Sequence, residues 1–168
     1  IGNGYIITAG HVVPNDITIS EIKVSFDNKN YYNANIIASE SGFDVGLIYS
    51  PQLKSMSSLE FGDSNTLEVG DFVVVVSAPE GYHDTVTYGR VSNIHQSVEN
   101  VQSQAWKDIF FIDADIMEGS SGGMVLGSDG LVYGIVIGVT GMHADIGLGH
   151  NSVSPSNKIK SFISSLNL

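Results

Sequence analysis

The stretch Glu118-Gly119-Ser120-Ser121-Gly122-Gly123-Met124-Val125-Leu126 places a pair of serines between glycines, directly before an apolar run. A serine hydroxyl is a weak nucleophile unless a base lies beside it and free N–H groups face the reacting atom. Glycines permit the bend that brings such groups together, so the N–H groups of Gly119 and Ser121 can point into one small space. The alternative for a Gly/Ser cluster is a simple turn between strands. A base elsewhere in the chain would favour the first interpretation.

The composition indicates one acidic domain of 168 residues without disulfides. Eighteen acidic and seven basic side chains give a formal net charge of −11, which disfavours nucleic acid or an anionic membrane as partner. There is no cysteine, so a cysteine nucleophile is excluded. No apolar run approaches the roughly 20 residues of a membrane span, and the first residues lack the charged start of a signal peptide. The compartment stays open between an extracytoplasmic and a viral one.

Short apolar runs separated by turn signals predict an all-β fold of two packed antiparallel barrels with a C-terminal helix. We expect one domain, with the first barrel in residues 1–55, the second in 56–154 and the helix in 155–168. The helix has Ile159, Phe162, Ile163 and Leu166 on one face, and Ser156 or Asn157 as N-cap. Predicted strands cover residues 5–8, 21–26, 31–37, 45–49, 72–77, 85–92, 109–114, 124–126 and 131–139.

Two titratable residues stand beside apolar strands in positions suited to chemistry. His11 closes the run Ile6-Ile7-Thr8-Ala9-Gly10, where the backbone would position a general base that titrates near neutrality. Asp44 lies between Phe43 and an apolar strand, and a histidine N–H would be a suitable partner for its carboxylate. The alternative for His11 is a histidine in the core or in a turn whose hydrogen bonds are all made, and the alternative for Asp44 is an aspartate that caps a turn. The order His11, Asp44, Ser121, each beside a strand, favours a catalytic set.

With these residues in this order, the chain resembles the trypsin-like serine proteases of the chymotrypsin fold, in particular the HtrA/Deg branch. The stretch GYIITAGHVV is similar to the family's histidine strand, and GFDVGLIYSP is similar to its aspartate strand. FGDSNTLEVGDFVVVVSAPEGYHDTVTYGRVS resembles the first strands of the second barrel. FFIDADIMEGSSGGMVLGSDGLVYGIVIGV resembles the serine loop and the hairpin after it. The similarity spans nearly the whole chain.

The resemblance implies peptide-bond hydrolysis through an acyl-enzyme, without a metal or an organic cofactor. Ser121 would be the nucleophile, His11 the general acid/base and Asp44 the residue that orients His11. The oxyanion loop would be Gly119, Ser120 and Ser121, with the N–H groups of Gly119 and Ser121 as donors. The implied partner is a peptide or an unfolded protein.

The chain departs from the family pattern in two places. Ser120 stands where trypsin-type enzymes carry an aspartate and HtrA relatives an asparagine, so activation by insertion of Ile1 is not expected. The family also has a strand before the histidine strand, whereas this sequence begins ten residues ahead of His11. The first barrel is therefore expected to be open or trimmed, either because a preceding segment was removed or because the opening strand is dispensed with here. A catalytically silent or dormant peptide-binding module is the alternative to an active protease.

Substrate contacts are expected from the strand Ile137-Gly138-Val139, which would pair with the substrate, and from Ser152 and Val153 in the wall of the first pocket. Asp115, six residues before Ser121, matches the carboxylate that selects basic residues in trypsin. HtrA relatives prefer small aliphatic residues instead, and Asp115 would then face solvent. His143, Asp145 and His150 suggest a metal site, although a glycine-rich loop is the favoured interpretation. Oligomeric state is left open.

Overall fold

The computed structural model describes residues 1–13, 22–82, 84–99, 105–140 and 150–168. Within these ranges, antiparallel strands and one C-terminal helix confirm the predicted mostly β fold, and no helix is long and apolar enough to cross a membrane. The elements are β1 (Tyr5–Ala9), β2 (Ile22–Ser25), β3 (Tyr31–Glu40), β4 (Val45–Tyr49), β5 (Phe72–Ser77), β6 (Thr85–Glu99), β7 (Ala105–Ile112), β8 (Met124–Gly127), β9 (Val132–Thr140), β10 (His150–Pro155) and α1 (Ser156–Ser165).

The first sheet is open, as expected for an incomplete first barrel. Its strands lie in the order β1-β4-β3-β2, and Tyr5 is opposite Tyr49 while Ala9 is opposite Val45. Within the described residues β1 and β2 form the two edges of this sheet and do not pair with each other. The incomplete first barrel predicted from the sequence is therefore confirmed within the described residues.

The second sheet closes into a barrel in the order β10-β7-β6-β5-β8-β9, as predicted for the second half of the chain. Side chains alternate along β5, so Val73 and Val75 are buried inside the barrel with Val125 of β8. β-Branched valine fits this pleated, half-buried surface well. The barrel thereby provides a rigid support for the loop between β7 and β8, which carries Ser121.

Strand β10 was missing from the sequence prediction because its residues are mostly polar. Asn151, Ser152 and Ser154 are nevertheless buried, with exposed fractions of 7%, 0% and 0%. These residues belong to β10, which lies between β7 and β9 in the barrel, where small side chains fit between the adjacent strands. Three strands also differ clearly from their predicted bounds, because β3 extends to Glu40, β6 extends to Glu99 and β7 runs from Ala105 to Ile112. Burial set by the barrel thus overrode the local polar pattern.

The predicted apolar face of the helix is confirmed, since Ile159 and Phe162 are buried and Ile163 and Leu166 pack against the same core. The predicted N-cap is wrong. Pro155 occupies that position without a side-chain hydrogen bond, and the Ser156 hydroxyl donates to the Gly62 carbonyl at 2.9 Å.

The helix also supports the loop that carries Asp44. The rings of Phe162 and Phe43 meet edge to face, with centroids 6.4 Å apart. Because Phe43 directly precedes Asp44, this contact joins the C-terminal helix to the first sheet beside the candidate site.

Candidate active site

His11 lies in a short turn that follows β1, and Gly10 allows this turn to approach Asp44. The Gly10 N–H donates to the Asp44 carbonyl at 2.9 Å. A Cβ atom at position 10 would lie 2.9 Å from Asp44 Oδ1 and 3.1 Å from Ser39 Oγ, closer than ordinary contact. Glycine before the histidine is therefore required by packing, a role that the sequence analysis did not assign to it.

Asp44 is buried, with 2% of its surface exposed, and both of its carboxylate oxygens contact His11. Oδ1 accepts a hydrogen bond from the His11 backbone N–H at 2.7 Å, and Oδ2 lies 2.6 Å from His11 Nδ1. The residue adopts a left-handed backbone conformation with φ of 56°. Two charge-assisted hydrogen bonds stabilise the carboxylate at this buried position.

The structure brings His11 and Ser121 together across 110 residues of sequence. His11 Nε2 lies 3.0 Å from Ser121 Oγ, on the ring edge opposite the contact with Asp44. When Nδ1–H donates to Asp44, the lone pair on Nε2 faces the serine hydroxyl. The imidazole can then accept the hydroxyl proton.

The environment of His11 raises the pKa of its imidazole above the ordinary value of 6.5. The hydrogen bond from the ring to Asp44 is the largest cause, and the negative charge of Asp44 acts in the same direction. Partial burial of the ring opposes both, because it disfavours the charged form. The site thus stabilises the imidazolium that forms when His11 accepts a proton.

The loop before Ser121 is held by a contact with the segment after β5. Gly119 has φ of 87°, and a Cβ at this position would lie 2.8 Å from the Glu80 nitrogen. The Glu80 N–H donates to the Glu118 carbonyl at 3.1 Å. This bond turns the Glu118 carbonyl toward Glu80 and fixes the peptide that contains the Gly119 N–H.

Ser120 is buried, and its polar groups make contacts within the protein. Its N–H donates to the Met117 carbonyl at 3.1 Å, and its Oγ lies 3.3 Å from the Ser77 hydroxyl. Among the described residues, no backbone carbonyl accepts from the N–H of Gly119 or Ser121. Of the three N–H groups in the predicted oxyanion loop, that of Ser120 is thus already bonded. The contact with Ser77 had no signal in the sequence.

A groove of about 490 Å³ opens at Ser121 and extends over the open first sheet. Gly119 and Ser121 line one end of it, and Ile6, Val24 and Ile48 contribute apolar surface. The nucleophile candidate is therefore accessible from a cleft large enough for several residues of an extended peptide.

The predicted substrate residues of β9 differ in the burial of their side chains. The Ile137 side chain is buried in the core, whereas Val139 is 46% exposed. β9 continues past its pairing with β8, which ends at Ile135 opposite Met124. Pairing of β9 with a substrate strand stays a prediction, and the burial of Ile137 leaves only its backbone for such a contact.

The remaining predicted substrate residues differ in exposure. Ser152 and Val153 are fully buried in β10, where Ser152 pairs with Gly138. Asp115 is exposed, and its backbone carbonyl accepts from the Thr87 hydroxyl at 2.8 Å.

No group of three or more candidate metal ligands occurs in the described part of the chain. His143, Asp145 and the side chain of His150 lie outside the described residues.

Comparison with known proteins shows the family of this chain. A family model described as the trypsin-like peptidase domain matches residues 1–135. The periplasmic serine endoprotease DegP of Salmonella typhimurium is 32% identical over 164 residues, which cover 97% of this chain and 33% of that protein. A probable DegP-like periplasmic serine endoprotease of Buchnera aphidicola subsp. Baizongia pistaciae is 32% identical over 148 residues, covering 88% and 31%. The chain thus spans about a third of the length of these curated relatives.

A solved structure described as the HtrA-type protease AlgW with decapeptide superposes with a TM-score of 0.82 at 22% identity. The match covers 99% of this chain and 49% of that one, and it shows that the two share a fold. The family model covers most of the sequence, including all of the residues from His11 to Ser121. The chain therefore belongs to the trypsin-like peptidase family.

Proposed function

We propose that this protein is a serine endopeptidase in which Ser121 attacks the peptide carbonyl. The observation that carries the proposal is the position of the His11 ring, 2.6 Å from Asp44 and 3.0 Å from Ser121. A buried carboxylate, an imidazole and an accessible hydroxyl in this order are the parts that acyl transfer requires. The similarity to serine endoproteases supports the same reaction.

In the first half of the reaction, His11 Nε2 accepts the Ser121 proton while Oγ bonds to the carbonyl carbon. The imidazolium that forms is stabilised by Asp44. His11 then donates this proton to the leaving amine as the C–N bond breaks, which leaves an acyl-enzyme. Water attacks the ester in the second half, with His11 again accepting and returning the proton. No metal or organic cofactor enters this sequence.

The N–H groups of Gly119 and Ser121 would stabilise the oxyanion that develops on the substrate carbonyl. Support comes from the positive φ of Gly119 and from the Glu80–Glu118 hydrogen bond, which orient the peptide before the substrate binds. Pre-oriented donors require no rearrangement during the reaction.

The proposed substrate is a peptide or an unfolded protein chain, and the proposed location is extracytoplasmic. Relatives described as periplasmic support the location, and a neighbour described with a decapeptide supports the substrate. We further propose a small aliphatic residue before the cleaved bond, because the exposed position of Asp115 does not resemble a buried specificity carboxylate. A peptide library should then show the same preference for the parent and for Asp115→Asn, and a strong preference for arginine that Asp115→Asn abolishes would contradict it.

A fluorophosphonate probe tests the reaction, because it forms a covalent bond only with an activated serine. Native protein at neutral pH should be labelled at Ser121, as located by peptide mass mapping, and heat-unfolded protein should not. Ser121→Ala and His11→Ala should lose labelling. Ser128→Ala, which changes an exposed serine in the turn after β8, should retain it.

The alternative is a peptide-binding module without catalysis, and the open first sheet is the observation that favours it. In that case folded protein would remain unlabelled and would not turn over an unstructured protein substrate. Peptide binding would also be unchanged in His11→Ala.

A further inference from the structure

A side-chain hydrogen bond joins the first sheet to the segment after β5, beside the groove at Ser121. The Asn28 amide, in the turn between β2 and β3, donates to the Gly81 carbonyl at 2.8 Å across 53 residues of sequence. Phe26, just before this turn, and Ala78, just before Gly81, both line the groove. The bond from Asn28 therefore links the first-sheet side of the groove to its second-barrel side.

The turn that carries Asn28 is held by hydrogen bonds of its own. Asp27 Oδ1 accepts from the backbone N–H groups of Lys29 and Asn30, at 2.9 and 2.7 Å. The Tyr31 hydroxyl donates to the Asn28 carbonyl at 3.3 Å. Asn28 has a left-handed backbone with φ of 55°, which asparagine adopts more readily than most residues with a Cβ. Its amide therefore projects from a fixed turn.

The segment that accepts this bond has a backbone conformation that needs support. Glu80 has φ of 50° and ψ of 22°, and Gly81 has φ of 83°. The left-handed conformation is costly for glutamate, so it persists where surrounding contacts hold it. The Tyr82 N–H donates to the Pro79 carbonyl at 2.8 Å and closes the turn around Glu80. The bond from Asn28 fixes the Gly81 carbonyl from the other side of the groove.

The same segment contacts the loop that contains the proposed oxyanion donors. The Glu80 N–H donates to the Glu118 carbonyl at 3.1 Å, which orients the peptide that carries the Gly119 N–H. A Cβ at Gly119 would lie 2.8 Å from the Glu80 nitrogen, so the two backbones are in close contact. A displacement of Glu80 therefore moves the Gly119 N–H relative to Ser121.

We propose that Asn28 is a positioning residue for the oxyanion loop, which acts through Gly81 and Glu80 on the Gly119 N–H. This inference rests on the proposed endopeptidase function and adds a residue of the first sheet to the groups that support the transition state. A donor held in place before the reaction stabilises the oxyanion without rearrangement. Loss of the Asn28 amide thus slows the chemical step and leaves ground-state binding of the substrate unchanged.

The kinetic test compares variants within one turn. Asn28→Gly removes the amide and accepts the left-handed backbone, and Asn28→Asp keeps the side-chain shape but removes the donor. Lys29→Gln makes the net charge more negative by one, as Asn28→Asp does, and leaves the Asn28 amide in place. On a chromogenic tetrapeptide, both Asn28 variants should lower kcat about two- to tenfold, as expected for one lost hydrogen bond, with KM unchanged. Lys29→Gln should match the parent.

A rescue variant provides a readout that a merely structural role of the turn would not move. Glycine at position 80 adopts a φ of 50° without strain, so the segment then needs less support from Asn28. Adding Glu80→Gly to Asn28→Gly should therefore recover most of the lost kcat. A kcat that stays as low as in Asn28→Gly would contradict the proposed route through Glu80.

Hydrogen exchange separates this proposal from the proposed function, because it requires no catalysis. In the protein without substrate, NMR should show the Glu80 amide exchanging about two- to tenfold faster in Asn28→Gly than in the parent, and at the parent rate in Lys29→Gln. This result decides the link from Asn28 to Glu80 even if the parent hydrolyses nothing. An unchanged exchange rate at Glu80 would overturn the proposal. A loss carried entirely by KM, or a lower melting temperature with an unchanged kcat, would overturn it as well.

Discussion

Gly122 connects the serine loop to the first sheet, and replacing it by alanine tests whether this contact sets the position of Ser121. Its N–H donates to the Val136 carbonyl at 2.8 Å, which fixes the loop on β9. Its φ is 85°, and a Cβ atom there would lie 2.4 Å from Thr8 Oγ1 of β1. Ordinary contact begins at 3.4 Å, so the loop and β1 separate by about 1 Å unless the Thr8 side chain rotates away from the new Cβ.

The structure offers a control that separates the two costs of the substitution. Gly130, in the turn after β8, has a similar φ of 79° but no atom within 4 Å of the added Cβ. Gly130→Ala should therefore cost only the left-handed conformation, about 1–2 kcal/mol of unfolding free energy. Gly122→Ala should cost a further ~1–3 kcal/mol because of the overpacking against Thr8. At roughly 2–4 °C per kcal/mol, Gly122→Ala should melt several degrees below Gly130→Ala.

The effect on reactivity should be larger than the effect on stability. Displacing Ser121 by about 1 Å from His11 should slow fluorophosphonate labelling about a hundredfold in Gly122→Ala. Gly130→Ala should react at the parent rate. Adding Thr8→Ala to Gly122→Ala should recover much of the rate, because the next atom, the Ala9 nitrogen, would lie 3.3 Å from the new Cβ. Equal labelling rates in Gly122→Ala and Gly130→Ala would refute this reasoning.

Three further predictions concern pH and packing. The rate of fluorophosphonate labelling should rise with pH as His11 loses its proton, with a pKa above 6.5, and then reach a plateau. In Asp44→Asn this rise should occur at lower pH, and the labelling rate at the plateau should be about 10⁴-fold lower. Folding raises the pKa of His11, so the pairing of His11 with Asp44 stabilises the protein at pH values below the pKa of His11 in the unfolded chain. This stabilisation is lost as the pH rises through the pKa of His11 in the folded protein. A plateau unchanged in Asp44→Asn would argue against the pairing. Phe162→Ala should lower the free energy of unfolding by about 3–5 kcal/mol in urea titrations, whereas Leu168→Ala, at an exposed position, should change it little. Hydrogen bonds in its turn lower the pKa of Asp27 to about 2. The contribution of Asp27 to stability should therefore persist above pH 4 and disappear toward pH 2. In Asp27→Ala, the melting temperature should lack this part of the decrease between pH 4 and pH 2.

The strands with short apolar runs were predictable because their local pattern and their tertiary burial agree. β5 is an example, since residues 72–76 are all apolar and the structure buries Val73 and Val75. Strand β10 could not be predicted from its residues, because Ser152 and Ser154 are polar and are buried only by the strands on either side. The helix face followed from spacing, but the N-cap did not, because the Ser156 hydroxyl contacts Gly62 far away in sequence.

For the candidate site, the sequence by itself predicted which residues would carry chemistry: a histidine and an aspartate beside apolar strands, and a serine among glycines. Their order, and the resemblance it supports, required no coordinates. Only the tertiary structure decided the distances, because the packing of the first sheet on the barrel brings Ser121 to His11 across 110 residues. It also decided that Gly10 must be small and that the Ser120 N–H is already bonded. The open first sheet is likewise a tertiary result, since pairing depends on which strands become neighbours.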